Sequence, residues 1–242
     1  LGTAVMALNL RRAAVVARQV ATLAHFSSDR LVLGVSVGGS PSEYTALEVP
    51  MNHRVGVFRD SVHVLRELLR GKALDHSSQV GSSSAVYDNA VVRPAAEVPI
   101  LIGGAVDAAV ARAGELGDGW IMAPFGDLSE FKSKWERVLE SAVRANRDAD
   151  QLIAGRLLYV CVDDDPDRAR TELNNFLKTY YGDRMDVDAH GIFGCASKVA
   201  DQLCAQIEAG ITHLMLGVPT LDIEHIERLA TDVMPSLRAT AG

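Results

Sequence analysis

Cysteine is scarce: Cys161, Cys195 and Cys204 are the three in 242 residues, and no two of them form a CxxC pair. That excludes a disulfide-built scaffold. It points to free thiols, packed as small apolar groups, in a reducing cytoplasmic compartment. Positive charge is also short, with 24 Lys and Arg against 31 Asp and Glu and a net charge of −7. There is no Lys/Arg run and no aromatic–basic interleaving, so the chain lacks the footprint of a nucleic-acid or anionic-membrane binder. No apolar stretch reaches the roughly 18–20 residues of a membrane span, and no segment reads as a secretory leader. The 7 histidines form no HxxxH or HxH pair, and GxSxG is missing. Neither a metal site nor a hydrolase triad is expected. Asp163-Asp164-Asp165 precedes Pro166 and reads as a helix N-terminus rather than a cation site.

What is present is ordinary globular material, 48% hydrophobic and 23% charged. A single domain over residues 1–242 is the simplest organisation, since α/β barrels run to this length as one unit. Short β-compatible runs alternate with helical patterns. Strands are expected at 1–5, 31–37, 99–103, 119–123, 152–162 and 212–217. Helices are expected at about 11–26, 54–70, 107–116, 127–146, 166–181, 196–209 and 222–238. The run Leu31–Val37 is nearly all apolar and includes the β-branched Val32, Val35 and Val37, as suits a parallel strand covered on both faces. In the first helix Val15, Val16, Val20, Leu23 and Ala24 recur at helical spacing. Residues 42–53 read as a loop or short helix, 72–93 as a Ser-rich hairpin, and 182–194 as a Gly- and Asp-rich loop. Such alternation implies a parallel sheet with right-handed crossovers.

The stretch Pro99–Trp120 carries strand, Gly103-Gly104, helix, then Gly117-Asp118-Gly119. It resembles a dinucleotide loop in outline only. The third glycine is missing, and the next strand ends Met122-Ala123-Pro124 without the acid a Rossmann fingerprint needs. A barrel strand end, with helix N–H groups free for an anion, accounts for it better. Asp107 is expected to cap that helix. Six βα units and the abrupt start suit a TIM (β/α)8 barrel whose first two units are missing, with about 60 further residues upstream. Among the histidines, His53 reads as a solvated cap and His213 as packing, and His190 falls in the loop before the penultimate helix. Tyr180-Tyr181, Trp120 and Trp135 read first as packing residues.

Several segments together resemble the bacterial luciferase-like flavin oxidoreductases. They are Leu1-Gly2-Thr3-Ala4-Val5, Gln19–Leu23, Asp29–Gly38, Glu43-Tyr44, Arg54, Pro99–Trp120 and Glu208–Leu214, in order and at family spacing. The branch most similar is that of the coenzyme F420-dependent oxidoreductases. The resemblance implies a luciferase-like barrel with 1–5 as its third strand and a non-prolyl cis peptide at Ala4-Val5, behind the ring of F420 or FMN. It implies cofactor contacts from Thr3, Ala4, Val5, Val37, Gly38, Gly39, Gly103, Gly104, Ala105, Val106, Met122 and Ala123. Some F420 enzymes carry a catalytic carboxylate where Gly39 stands, and this sequence departs from them there. No catalytic residue is assigned, because such residues often come from the first two strands. The implied activity is oxidoreduction of a small organic substrate, by hydride transfer with F420 or flavin-peroxide oxygenation with FMN. The implied partners are a second copy of the chain and a separate flavin or F420 reductase. A degenerate flavin-binding relative without catalysis is the alternative.

Overall fold

The computed structural model describes residues 1–80 and 83–241. They divide into two compact units, one of residues 1–121 and 138–152, the other of residues 122–137 and 153–242.

The first unit opens with β1 (Gly2–Ala7), a 3-10 turn at Leu8–Leu10, and α1 (Ala13–Phe26). Then come β2 (Val32–Ser36), α2 (Pro41–Ala46) and α3 (Arg54–Leu69). An antiparallel pair, β3 (Leu74–Val80) and β4 (Ser83–Ala90), forms the expected hairpin; residues 81–82 lie outside the described residues. β5 (Ile100–Gly103), α4 (Asp107–Leu116) and β6 (Gly119–Met122) follow. The strands run parallel, with Gly2 opposite Val32, Leu33 opposite Ile100, and Leu101 opposite Gly119. Ile100, Leu101 and Ile102 are buried throughout, as a strand covered on both faces requires. β1 extends two residues beyond the expected 1–5, because Met6 and Ala7 still pair with Val35 and Ser36. In α1, Val16, Val20 and Ala24 enter the core, but Val15 and Leu23 lie half exposed. The apolar stripe is narrower than its residues suggest.

α5 (Leu128–Arg144) begins in the second unit and ends in the first. The second unit continues with β7 (Ile153–Val162), α6 (Pro166–Tyr181) and α7 (Val187–His190). β8 (Gly191–Gly194), α8 (Ala196–Glu208), β9 (His213–Gly217), α9 (Ile223–Arg228) and α10 (Met234–Ala241) complete it, with a π-helical turn at Leu229–Val233. β7 pairs in parallel with β8, Tyr159 opposite Gly191, and with β9, Gly155 opposite His213. Alternate residues of β7 face two helix layers. Leu158, Val160 and Val162 pack on α8, and Tyr159 and Cys161 pack on α6. β8 corrects the expected 182–194 loop. Its four residues, bounded by Gly191 and Gly194, are too few to show a period. Gly210, at φ +98°, terminates α8, and its N–H donates to the Ile207 carbonyl.

Among the described residues no helix is long and apolar enough to cross a membrane.

Candidate functional site

The C-terminal ends of β1, β2 and β5 lie side by side in the first unit, as their register dictates. Ten of the residues expected to meet a cofactor are here. The Ala4-Val5 peptide bond is cis, as the resemblance implies. The Thr3 hydroxyl donates to the Gly34 carbonyl at 2.7 Å and ties β1 to β2. Val5, 38% exposed, crosses the strands where side chains are missing. A Cβ on Gly103 would stand 2.8 Å from its Cγ1, and one on Gly34 3.1 Å from it. The glycines therefore seat Val5 against the sheet.

Beyond β2, Gly38 and Gly39 take φ +44° and +79°, a region where side chains are strained. A Cβ on Gly39 would meet the Tyr44 ring at 2.6 Å. Tyr44 is buried under this turn, and its hydroxyl donates to the Val37 carbonyl at 2.8 Å. Asn9, also buried, donates from Nδ2 to the Tyr44 oxygen at 3.1 Å and to the Arg54 carbonyl at 2.7 Å. Asn9 and Tyr44 thus fix the strand end from below. Asn9 was not legible beforehand, because a lone Asn after a strand reads as a turn residue.

Gly104 follows β5, and the Trp120 indole donates to its carbonyl at 2.9 Å. A Cβ on Gly104 would fall 2.4 Å from that of Ala109, so glycine lets α4 come close behind the strand end. Ala105 and Val106 are exposed. Asp107 is the first residue of α4 and not its cap. The N-cap is Val106, which offers no side-chain acceptor. In the second unit Met122 is buried at the end of β6 and offers almost no surface, and Ala123 is half buried.

The opposite, N-terminal strand ends carry a different arrangement. Asp118 accepts from Arg66 Nη1 at 2.9 and 3.0 Å and from the Ile100 N–H at 2.9 Å. Arg147 lies against the same carboxylate at 3.4 Å and donates to the Gly114 carbonyl. This clamp ties β5, α3 and the segment after α5 together. It is structural, as expected at the N-terminal face of a barrel.

The other residues weighed from the sequence fall elsewhere. His53 caps α3 at φ +65° without a side-chain hydrogen bond. Asp165 caps α6, and Asp163 pairs with Arg168, so the acidic triplet is a helix start. His190 packs edge-on to Phe125 in the second unit. The Tyr181 hydroxyl lies 2.7 Å from that of Tyr159, while Tyr180 is largely exposed. Burial and that contact hold the Tyr159 phenol above its ordinary pKa. Trp120 is core, and Trp135 stacks on Phe131.

A floor of small residues and glycine turns fits a flat ring better than an acid–base pair. The Val5 methyls and the open Gly38-Gly39 turn give such a ring a surface free of projecting side chains. The architecture is that of a luciferase-like TIM-barrel fold. One solved structure, an F420-dependent secondary alcohol dehydrogenase with an F420–acetone adduct, matches at a TM-score of 0.79 and 21% identity, over 93% of this chain and 75% of that one. The oxygenating component of 3,6-diketocamphane monooxygenase from Pseudomonas putida, in complex with FMN, matches at 0.72 and 16%, over 98% and 79%. The luciferase-like monooxygenase family model matches residues 1–206, and the chain belongs to that family of oxidoreductases. Among curated relatives, an F420-dependent glucose-6-phosphate dehydrogenase from Beutenbergia cavernae is 28% identical over 274 residues, 99% of this chain and 78% of the relative. A second, from Rhodococcus jostii, is 27% identical over 99% and 79%.

Proposed function

We propose that the protein is an F420-dependent oxidoreductase acting on a small organic substrate, with FMN as the alternative cofactor. The carrying observation is the bare floor at the ends of β1, β2 and β5, where Val5 lies over Gly34 and Gly103 and Ala7 lies against Gly38 of the turn beyond β2. In this reading Thr3, Ala4 and Val5 back the ring, Val37, Gly38 and Gly39 border it, and Gly103, Gly104, Ala105 and Val106 approach the side chain and its phosphate. Met122 and Ala123 belong to the same proposed set. A bound deazaflavin supplies two-electron hydride chemistry, and FMN would add oxygen activation.

The chain's own part is binding, orientation and exclusion of water. Gly39 has no side chain to move a proton. The nearest carboxylate along the loop, Glu43, accepts from the Ser40 N–H at 2.6 Å and completes a capping box. That bond holds its carboxyl below the ordinary range, so it stays an anion and is a poor proton donor. A proton donor, where the reaction needs one, comes from outside the 37–43 turn. The same reading makes residues 1–242 one barrel domain of a cytoplasmic homodimer, supplied with reduced cofactor by a separate flavin or F420 reductase.

The test is spectroscopic. The protein is titrated with F420 and with FMN, following absorbance and fluorescence. Saturable F420 binding is the expected result. Tight FMN binding without F420 binding overturns the deazaflavin assignment, and failure of both overturns the enzyme reading.

A further inference from the structure

The second unit contains a cavity of about 490 Å³ whose features the cofactor reading does not use. It lies on the α8 face of β7, bordered by the loop after β6 and by residues 188–192. Its volume is within the range of small-molecule sites. Arg156 lines it and is 4% exposed. The guanidinium is held at both ends. Nη1 donates to Gln206 Oε1 at 2.7 Å, and Nη2 donates to the Gly126 carbonyl at 2.6 Å. Both acceptors are neutral. No carboxylate lies within ion-pair distance of Arg156, and its buried Nε–H has no acceptor, among the described residues.

A buried cation without a paired anion is costly, and proteins seldom leave one so. Asp127 and Glu130 act on Arg156 only from beyond ion-pair distance, and like Asp188 they have closer partners. Asp127 accepts from the Ser129 hydroxyl at 2.8 Å and the Glu130 N–H at 2.9 Å. Asp188 is paired with Arg170. Gln202 and Gln206 add amide groups along α8. The wall therefore sets one rigidly held guanidinium and the neutral amides of Gln202 and Gln206 beside an open volume, with Asp127 and Asp188 on its border held by partners of their own. A planar guanidinium with donors to spare matches an oxyanion.

We propose that this cavity is an anion-binding site, in which Arg156 receives the carboxylate or phosphate of a small organic molecule. None of the residues that line it belongs to the proposed cofactor set, and all of them belong to the second unit. Its success or failure leaves the cofactor reading untouched.

Isothermal titration calorimetry with inorganic phosphate, and separately with acetate, at constant ionic strength tests this. One saturable site per chain is expected for at least one of them. Phosphate alone marks a phosphorylated ligand, acetate alone a carboxylate, and both a general oxyanion site. Arg156→Gln removes the charge and is expected to abolish binding. Gln202→Glu places a negative charge at the exposed rim and is expected to weaken it about tenfold with an unchanged melting temperature. If Arg156→Gln does not fold, Gln202→Glu decides alone. No saturable binding of either anion to the folded protein, or binding unchanged in Gln202→Glu, overturns the proposal.

Discussion

The Tyr44 hydroxyl donates to the Val37 carbonyl at 2.8 Å, and the Tyr44 ring occupies the space that a side chain at Gly39 would need. One residue thus holds the end of β2 and enforces the bare turn beyond it. Tyr44→Phe keeps the ring but removes the donor, and the Asn9 amide loses an acceptor. Removing one partner of a buried hydrogen bond costs about 1–3 kcal/mol. An unfolding free energy lower by that amount, read from urea curves, is expected, together with weaker F420 or FMN binding, because the Val37–Gly39 turn is no longer fixed. Unchanged cofactor affinity in a destabilised variant would separate this turn from the binding floor.

Gly34 and Gly103 are both glycines beneath Val5, yet alanine should act differently at each. At Gly34 a Cβ would stand 2.0 Å from the Thr3 carbonyl oxygen, which is backbone and cannot yield. Gly34→Ala is expected to lose about 3 kcal/mol or more. At Gly103 the obstacle is a Val5 methyl at 2.8 Å, which moves by a small shift of one side chain. Gly103→Ala is expected to cost about 1–2 kcal/mol and to raise the cofactor dissociation constant by displacing Val5 from the floor. Thermal unfolding paired with flavin and F420 titration separates the two.

The sequence told most where chemistry is local. Ile100-Leu101-Ile102 reads as a buried strand because every residue is apolar, and α6 runs from Pro166 to Tyr181 because proline and an acidic cap define its start. The cis bond at Ala4-Val5 was legible only through the family resemblance, since neither residue is a proline. What stayed hidden depends on distant partners. β8 exists because Gly191–Gly194 finds β7, and no pattern within four residues shows that. Val106 caps α4 although Asp107 has the better side chain, because the chain enters the helix one residue earlier. The unpaired state of Arg156 depends on what surrounds it in space, from Gly126 to Gln206.

Asp118 offers a control at the other strand ends. It receives Arg66, Arg147 and the Ile100 N–H together, and the Arg66 and Asp118 side chains are only 25% and 28% exposed. Asp118→Asn leaves two guanidinium groups without their carboxylate. Losing one partner of a fully buried pair costs about 3–5 kcal/mol; partial exposure reduces this to about 1–3 kcal/mol. The expected outcome is a lower unfolding midpoint with F420 or FMN affinity unchanged. A loss of affinity equal to that of Tyr44→Phe would contradict the assignment of this clamp to stability alone.

His225 should make stability depend on pH. It is 8% exposed, and its Nε2 accepts the Val162 N–H at 2.9 Å, which requires a ring unprotonated at that nitrogen. Its Nδ1 has no partner among the described residues. Burial holds its pKa below the ordinary 6.5, and the Arg228 charge acts in the same direction. Glu172, Asp222 and Asp163 oppose them without reversing the shift. The unfolded chain therefore takes up a proton on this ring more readily than the folded one. Its stabilising effect is complete above about pH 6.5 and is lost as the pH falls through the depressed native value. His225→Gln keeps an acceptor for Val162 and removes the titration. Unfolding free energies from urea curves between pH 7.5 and pH 5 should fall more steeply in the wild type than in the variant, by at most one proton's worth of slope. Parallel pH profiles would show that His225 is protonated as easily in the fold as outside it.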